Sequence, residues 1–183
     1  MLPKGYNVRK AAQVAAFFAE KEGGDISVLK LVKLIYLADR ESLDKYDYPL
    51  LFDQFVSMPH GPVNSITYNY ISGCYESKEW NDFIVDKADH VVALNKKISA
   101  KDLDELSDAE INVLEEVWKK FGAMDKYKIR DYTHDSCFEW EDPNGSSEPI
   151  PYERVFKNLR KDNVAMLSQA IEEERQLSGV WEC

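Results

Sequence analysis

Apolar residues recur at helical spacing along most of the chain. Val8, Ala11, Ala15 and Phe18 share one face of a helix over Asn7–Glu22, and Gly23-Gly24 stops it. Ser27 can cap a second helix with the stripe Val28, Leu31, Leu34, Ile35 and Ala38, which leaves Lys30, Lys33 and Arg40 on more polar positions. The pattern breaks around Pro49. A stiff corner follows, Met58-Pro59-His60-Gly61-Pro62-Val63, and Pro62 suits the first position of a third helix, because its missing N–H costs nothing there. Ile66 and Tyr70 would lie on the inner face of that helix, and Gly73 would end it.

The period changes after Asp82. Two short β-branched runs, Phe83–Val85 and Val91–Leu94, flank the polar turn DKADH and predict a hairpin. Ser107 and Glu110 then form a capping box ahead of Ile111, Leu114, Trp118 and Phe121. MDKYKIRDYTH predicts a short helix and Glu141–Pro149 a loop. Pro151 opens a helix with Val155, Phe156 and Leu159 inward. Asp162 can cap a last one carrying Val164, Leu167, Ala170 and Ile171, with Glu172-Glu173-Glu174 on a solvated face. The fold expected is mainly α: a single compact domain, residues 1–183, of about six or seven helices with a small β-hairpin inserted near the middle.

Length and composition agree with one such domain, since 183 residues with 44% hydrophobic content can bury a sizeable core. The net charge of −10 disfavours a general phosphate-backbone binder and favours steering towards basic partners. Cys74, Cys137 and Cys183 are odd in number and form no CxxC, so no disulfide framework is expected and the compartment is read as cytoplasmic. No signal peptide and no run long enough to span a membrane is expected.

Candidate chemistry is thin. The glycines form neither GxGxxG nor GxxxxGK[ST], and HExxH is absent. His134 and Cys137 make one HxxC pair, whereas zinc sites show two close pairs. A thiolate nucleophile at Cys137 would need an oriented histidine, and nothing in the sequence orients His134; an inert buried thiol is the simpler reading. Acidic residues are too abundant for any pair to point to glycoside chemistry. Two helices within Asn7–Lys45 raise a helix-turn-helix, but LVKLIYLA is apolar over too much of its width to read bases. Lys30, Lys33 and Arg40 could form a small basic face, although a solvated helix surface is the plainer reading. No catalytic residue, metal site or cofactor is expected.

An ordered series of segments carries a resemblance. LKLVKLIYLADRESL (Leu29–Leu43) is followed by YPLLFDQFVSMPHGPVNSITYNYI, LSDAEINVLEEVWKKFG, YTHDSCFEW and IPYERVFKN. This series resembles the Panacea domain, the SocA-like antitoxin family often found in prophages, over about Val8 to Asn158. The motif residues here are Lys30, Lys33 and Tyr36 of a KLxKLxY helix, His60 with Gly61, Pro62 and Val63 of the GPV corner, and Thr133, His134 and Trp140 of a TH…W element.

The resemblance implies a bacterial antitoxin that binds a cognate toxin, encoded by an adjacent gene, and holds it inactive by direct protein–protein contact. Alternatives are a phage or mobile-element regulator that binds DNA, or a proteolytic adaptor, as one family member is. With no length to spare outside the domain, DNA binding is not expected, nor is a membrane partner; whether copies self-associate is left open. The motif residues serve either the fold or the toxin interface. His134 is expected as an imidazole bonded to backbone and packed near Trp140, and His60 as a surface contact. Tyr46, Tyr48, Trp80 and Trp181 are interface candidates if exposed, because tyrosine and tryptophan dominate hot spots.

Overall fold

The computed structural model describes residues 5–177. Its elements in chain order are α1 (Val8–Glu22), β1 (Asp25–Ser27), α2 (Val28–Tyr46), β2 (Phe55–Met58), β3 (Gly61–Asn64), α3 (Ser65–Ile71), α4 (Lys78–Asn81), β4 (Ile84–Lys87) and β5 (Val91–Leu94). A short 3₁₀ turn (Ala100–Asp102) leads to α5 (Asp108–Phe121), α6 (Lys126–Ser136), β6 (Glu148–Ile150), α7 (Tyr152–Asn158) and α8 (Val164–Leu177). The molecule is mainly α, as expected. Among the described residues there are eight α-helices rather than six or seven, and two three-stranded antiparallel sheets rather than one hairpin.

The longest helix, α2, is also the centre. It packs against α1, α5, α6 and β3, and its residues from Lys30 to Asp39 are all buried. A helix covered on several sides cannot keep a polar face in water, so the amphipathic pattern read from the sequence is only half of its surroundings. Around it Phe18, Tyr36, Phe55, Phe83 and Phe156 are fully enclosed.

Local signals placed several elements correctly. Asn7 caps α1 through a side-chain bond to the Lys10 N–H, and Gly23 closes it at φ +106°. Ser107 and Glu110 make the reciprocal capping box of α5. The predicted hairpin exists as β4–β5, and β1 joins it to give the order β1-β5-β4. Ser27, in contrast, makes no side-chain capping bond to α2; the first amide of that helix, Val28 N–H, donates to the His90 carbonyl at 2.9 Å.

The second sheet is the main departure. Met58 to Val63 is not the entry to a helix but the turn and return strand of a hairpin, with Val56 opposite Val63 and Met58 opposite Gly61. Pro62 therefore stands in an edge strand, where its lack of an N–H is equally harmless. Helix α3 begins three residues later, and Asp53 caps it from across the chain by accepting from the Ile66 and Thr67 amides, both at 2.9 Å. Ile66 and Tyr70 are buried, as the pattern required. The end of the predicted loop after Glu141 becomes β6, which pairs with β2. In α8, Ile171 is buried, while Val164 and Leu167 are half-covered and Ala170 is exposed.

Candidate functional site

The three family motifs converge on one place. Lys30, Lys33 and Tyr36 lie three apart, so one stripe of α2 presents them in succession. The expectation of a solvated basic surface fails: Lys30 is 6% exposed and Lys33 is 0% exposed. Each reaches a different neighbour. Lys30 Nζ donates to the Gly122 carbonyl at 2.8 Å and to Glu22 at 2.6 Å. Lys33 Nζ donates to the Pro62 carbonyl at 2.8 Å. Tyr36 donates its hydroxyl to Glu139 Oε1 at 2.5 Å, and one turn on Arg40 Nε donates to the same oxygen at 2.6 Å. Burial raises the Tyr36 hydroxyl well above its ordinary value, which keeps the donor proton in place.

The hairpin corner is pressed between α2 and α6. Gly61 has φ +98°, and a β-carbon there would sit 2.8 Å from Thr133 Oγ1, 2.9 Å from Lys33 Nζ and 3.1 Å from His134 Cδ2. Only glycine satisfies both the backbone angle and the space. Thr133 is buried and turns its hydroxyl back to the Arg130 carbonyl at 2.7 Å. The ring of His134 stacks on Trp140 with centroids 4.1 Å apart and planes 2° apart. Trp140 in turn donates its indole N–H to the Met58 carbonyl at 3.0 Å. The TH…W element thus holds the strand that leads into the Pro59-His60 turn, while Lys33 holds the strand that leaves it.

Electrostatics sharpen the picture. Burial lowers Lys33 to about 7, with Arg130 adding to the fall and Cys137 opposing it. Burial, then Lys33 and Arg130, hold His134 below the ordinary histidine value, and its Nε2 is buried without a hydrogen-bond partner. Cys137 is pushed up to about 12 by burial, so the thiol next to this cluster is not a thiolate nucleophile near neutral pH. Among the described residues, no group of three or more His, Cys, Asp or Glu is placed to hold a metal ion.

Outside this packed cluster the corner opens onto a cleft of about 400 Å³ between the start of α2, the β2–β3 turn and the first turns of α6. His60 and Pro59 are exposed on its rim. Pro62 and Val63 are buried in the return strand. Lys33 is part of the cleft lining, as are Lys126, Arg130 and His90.

Sequence reasoning missed the buried acids. Asp39, Asp53 and Glu139 are all 0% exposed, and each is bound by donors from distant segments. No local pattern marks them, because their partners are 11, 14 and 103 residues away in sequence. Of the aromatic interface candidates, Tyr46 and Tyr48 are exposed at 49% and 41%. Trp80 is buried, stacked on Tyr70, and is withdrawn; Trp181 lies outside the described residues. Phe138 and Tyr127, not singled out before, are exposed at 71% and 54%.

Residues 31–141 match the family model described as antitoxin SocA-like, Panacea domain. No curated protein matches the chain. No solved structure matches it either.

Proposed function

The chain belongs to the SocA-like antitoxin family of Panacea domains, and from that premise we propose that it neutralises a cognate toxin, encoded by a neighbouring gene, through direct protein–protein contact and without catalysis of its own. The family match over residues 31–141 carries the reading. Residues 1–183 are read as one unit acting in the cytoplasm. Two features of the molecule support a binding role. The side chains of the KLxKLxY and TH…W motifs are spent on holding elements together, which leaves the His60 turn as the exposed part of the motif set. Exposed aromatics on α6 and at its C-terminal end offer anchors of the kind that dominate interfaces.

The acidic surface fits a partner with a basic face, which electrostatic attraction would bring in quickly and salt would slow. Among the described residues no helix is long and apolar enough to cross a membrane.

The deciding experiment is genetic and biochemical. Each small gene flanking the coding sequence is induced alone and together with it. One neighbour is expected to arrest growth alone, to be tolerated when co-expressed, and to co-purify with this chain. Arrest that co-expression fails to relieve, or no toxic neighbour at all, sinks the proposal. Relief without co-purification would leave an antitoxin that acts otherwise than by contact.

A further inference from the structure

The cleft beside the hairpin corner has a charge pattern unlike the rest of the molecule. The chain carries 33 acidic and 23 basic side chains, yet among the described residues no Asp or Glu lines this cleft. Its ionisable lining is Lys33, Lys126, Arg130, His60 and His90. Lys126 has no carboxylate partner among the described residues and lies 5.3 Å above the Tyr127 ring. Arg130 is held at 2.6 Å by Asp131, whose side chain is 56% exposed and turned out of the lining, and its guanidinium also covers Tyr127. The start of α2 adds to this. The first turn of that 19-residue helix contains no acidic residue, its first amide is taken by the His90 carbonyl, and its start lies at the cleft wall.

The floor is of another kind. Val28, Val32, Met58, Val63 and Tyr68 make it apolar. A second cavity of about 540 Å³ continues from it, sharing Val28, Tyr68 and His90, and it is walled at its far end by Asp86, Lys87 and Asp89. The two form a groove with cations at the α6 end and acids at the β4–β5 turn. Apolar floor with cations on one rim suits a chain that carries carboxylates beside large apolar side chains. It suits a phosphate ester less well, since there is no glycine-rich loop of converging amides.

We propose that this groove seats an acidic segment of the partner protein, with an aspartate or glutamate facing Lys126 and Arg130 and the neighbouring aromatic or aliphatic side chain on the apolar floor. The identity of the partner as a toxin rests on the antitoxin reading; the recognition chemistry does not. The two charge requirements are compatible, because the acidic surface at large attracts the body of a basic partner while the groove selects one acidic stretch of it. Lys33 lies at the bottom of the lining, out of reach: its Nζ is fully buried on the Pro62 carbonyl, and a carboxylate in the cleft would favour its charged form without touching it.

The test uses the full chain and a phage-displayed library of random peptides, with the best binder remade carrying fluorescein for anisotropy. Enriched peptides should place Asp or Glu beside Phe, Tyr, Leu or Ile. The double variant Lys126→Glu, Arg130→Glu should weaken the labelled peptide by about 30-fold. Tyr127→Ala should weaken it by about fivefold, and Lys157→Glu on distant α7 should leave it within about twofold. Lys126 and Tyr127 are exposed, so unchanged melting of these variants separates lost binding from lost fold.

Enrichment of peptides without acids, or a double variant that binds as well as the parent, overturns the proposal. So does displacement of the peptide by ATP or by a DNA duplex at lower concentration than by an unlabelled copy, which would make the cleft a phosphate site. Growth rescue is scored separately. Rescue with no peptide binding refutes the groove and spares the antitoxin reading; peptide binding without rescue does the reverse.

Discussion

Among the charges that helix α2 buries, Lys33 and Asp39 lie less than two turns apart, and the fold treats them in opposite ways. Asp39 is closed in by donors: its carboxylate accepts from the Leu50 amide at 2.7 Å and from the Asn64 side chain at 2.8 Å. Lys33 gives a single bond, to the Pro62 carbonyl, and belongs to the lining of an open cleft. A buried carboxyl group held by one backbone and one side-chain amide is a structural joint, here tying α2 to the loop before β2 and to β3. A buried ammonium with donors to spare beside a cleft is a group the fold leaves underused. The difference separates a joint that the chain completes by itself from a buried group that it satisfies only in part.

The strongest way to break this comparison is to titrate it. Burial puts both groups near 7, from opposite directions. For Lys33 the folded value lies below the unfolded 10.5, so the unfolded chain binds more protons between the two values and stability rises as pH goes from about 7 to 10.5. For Asp39 the folded value lies above the unfolded 3.8, so its contribution is fully present below 3.8 and is lost as pH rises to about 7. The two groups together should give a minimum in stability near neutrality, each wall of it at most on the order of 4 kcal/mol. Urea unfolding of the parent, Lys33→Met and Asp39→Asn from pH 4 to 10 reads it. Lys33→Met should lose the alkaline wall alone and Asp39→Asn the acid wall alone. Parallel profiles for parent and Lys33→Met would show that the ammonium is solvated or paired after all.

Next in size is Gly61→Ala. The positive φ and the three close approaches to Thr133, Lys33 and His134 all act at once, and one of the crowded atoms is a lysine nitrogen held by its own bond to Pro62. The cost should be about 3 kcal/mol, seen as a lower urea midpoint with unchanged slope. A loss under about 1 kcal/mol would mean that the corner can shift away from α6 freely, and the motif cluster would no longer count as a packed joint.

How far the sequence could show this follows from where each partner sits. The capping box of α5 was legible because Ser107 and Glu110 are three residues apart and answer each other. The β4–β5 hairpin was legible because both of its strands and its turn lie within one short run. The burial of Lys30 and Lys33 was not legible, because the carbonyls of Gly122 and Pro62 that accept from them are 92 and 29 residues away, and Glu22, the carboxylate that also holds Lys30, is eight away across the break between α1 and α2. Pro62 gave a true signal, a residue placed where an amide is dispensable, but helix starts and edge strands share that signal. Pairing of Val56 with Val63 decided between them. Four of the family-motif residues, Lys33, Gly61, Thr133 and His134, lie far apart in sequence and meet at the corner. The cleft lining from Lys126 and His90 had no sequence mark, because it is assembled from α6 and the β4–β5 turn.

The smallest effect is expected at His134, and it tests whether the TH…W element only holds the corner or also faces a partner. His134→Ala removes a stacked ring from Trp140 and leaves the indole to hold Met58 alone. Offset or stacked ring pairs contribute roughly 0.5–1.5 kcal/mol beyond their buried area, so the variant should be less stable by about 1.5 kcal/mol in all. Its imidazole is held below the ordinary histidine value by burial and by Lys33, so it stays neutral near pH 7 and offers a partner no charge. On the proposed antitoxin reading, neutralisation should therefore fall only as far as the folded population falls, and growth rescue should return at lower temperature. A variant that melts like the parent and no longer rescues would make His134 a partner contact, and the stack on Trp140 would then count as part of the interface rather than of the packed joint.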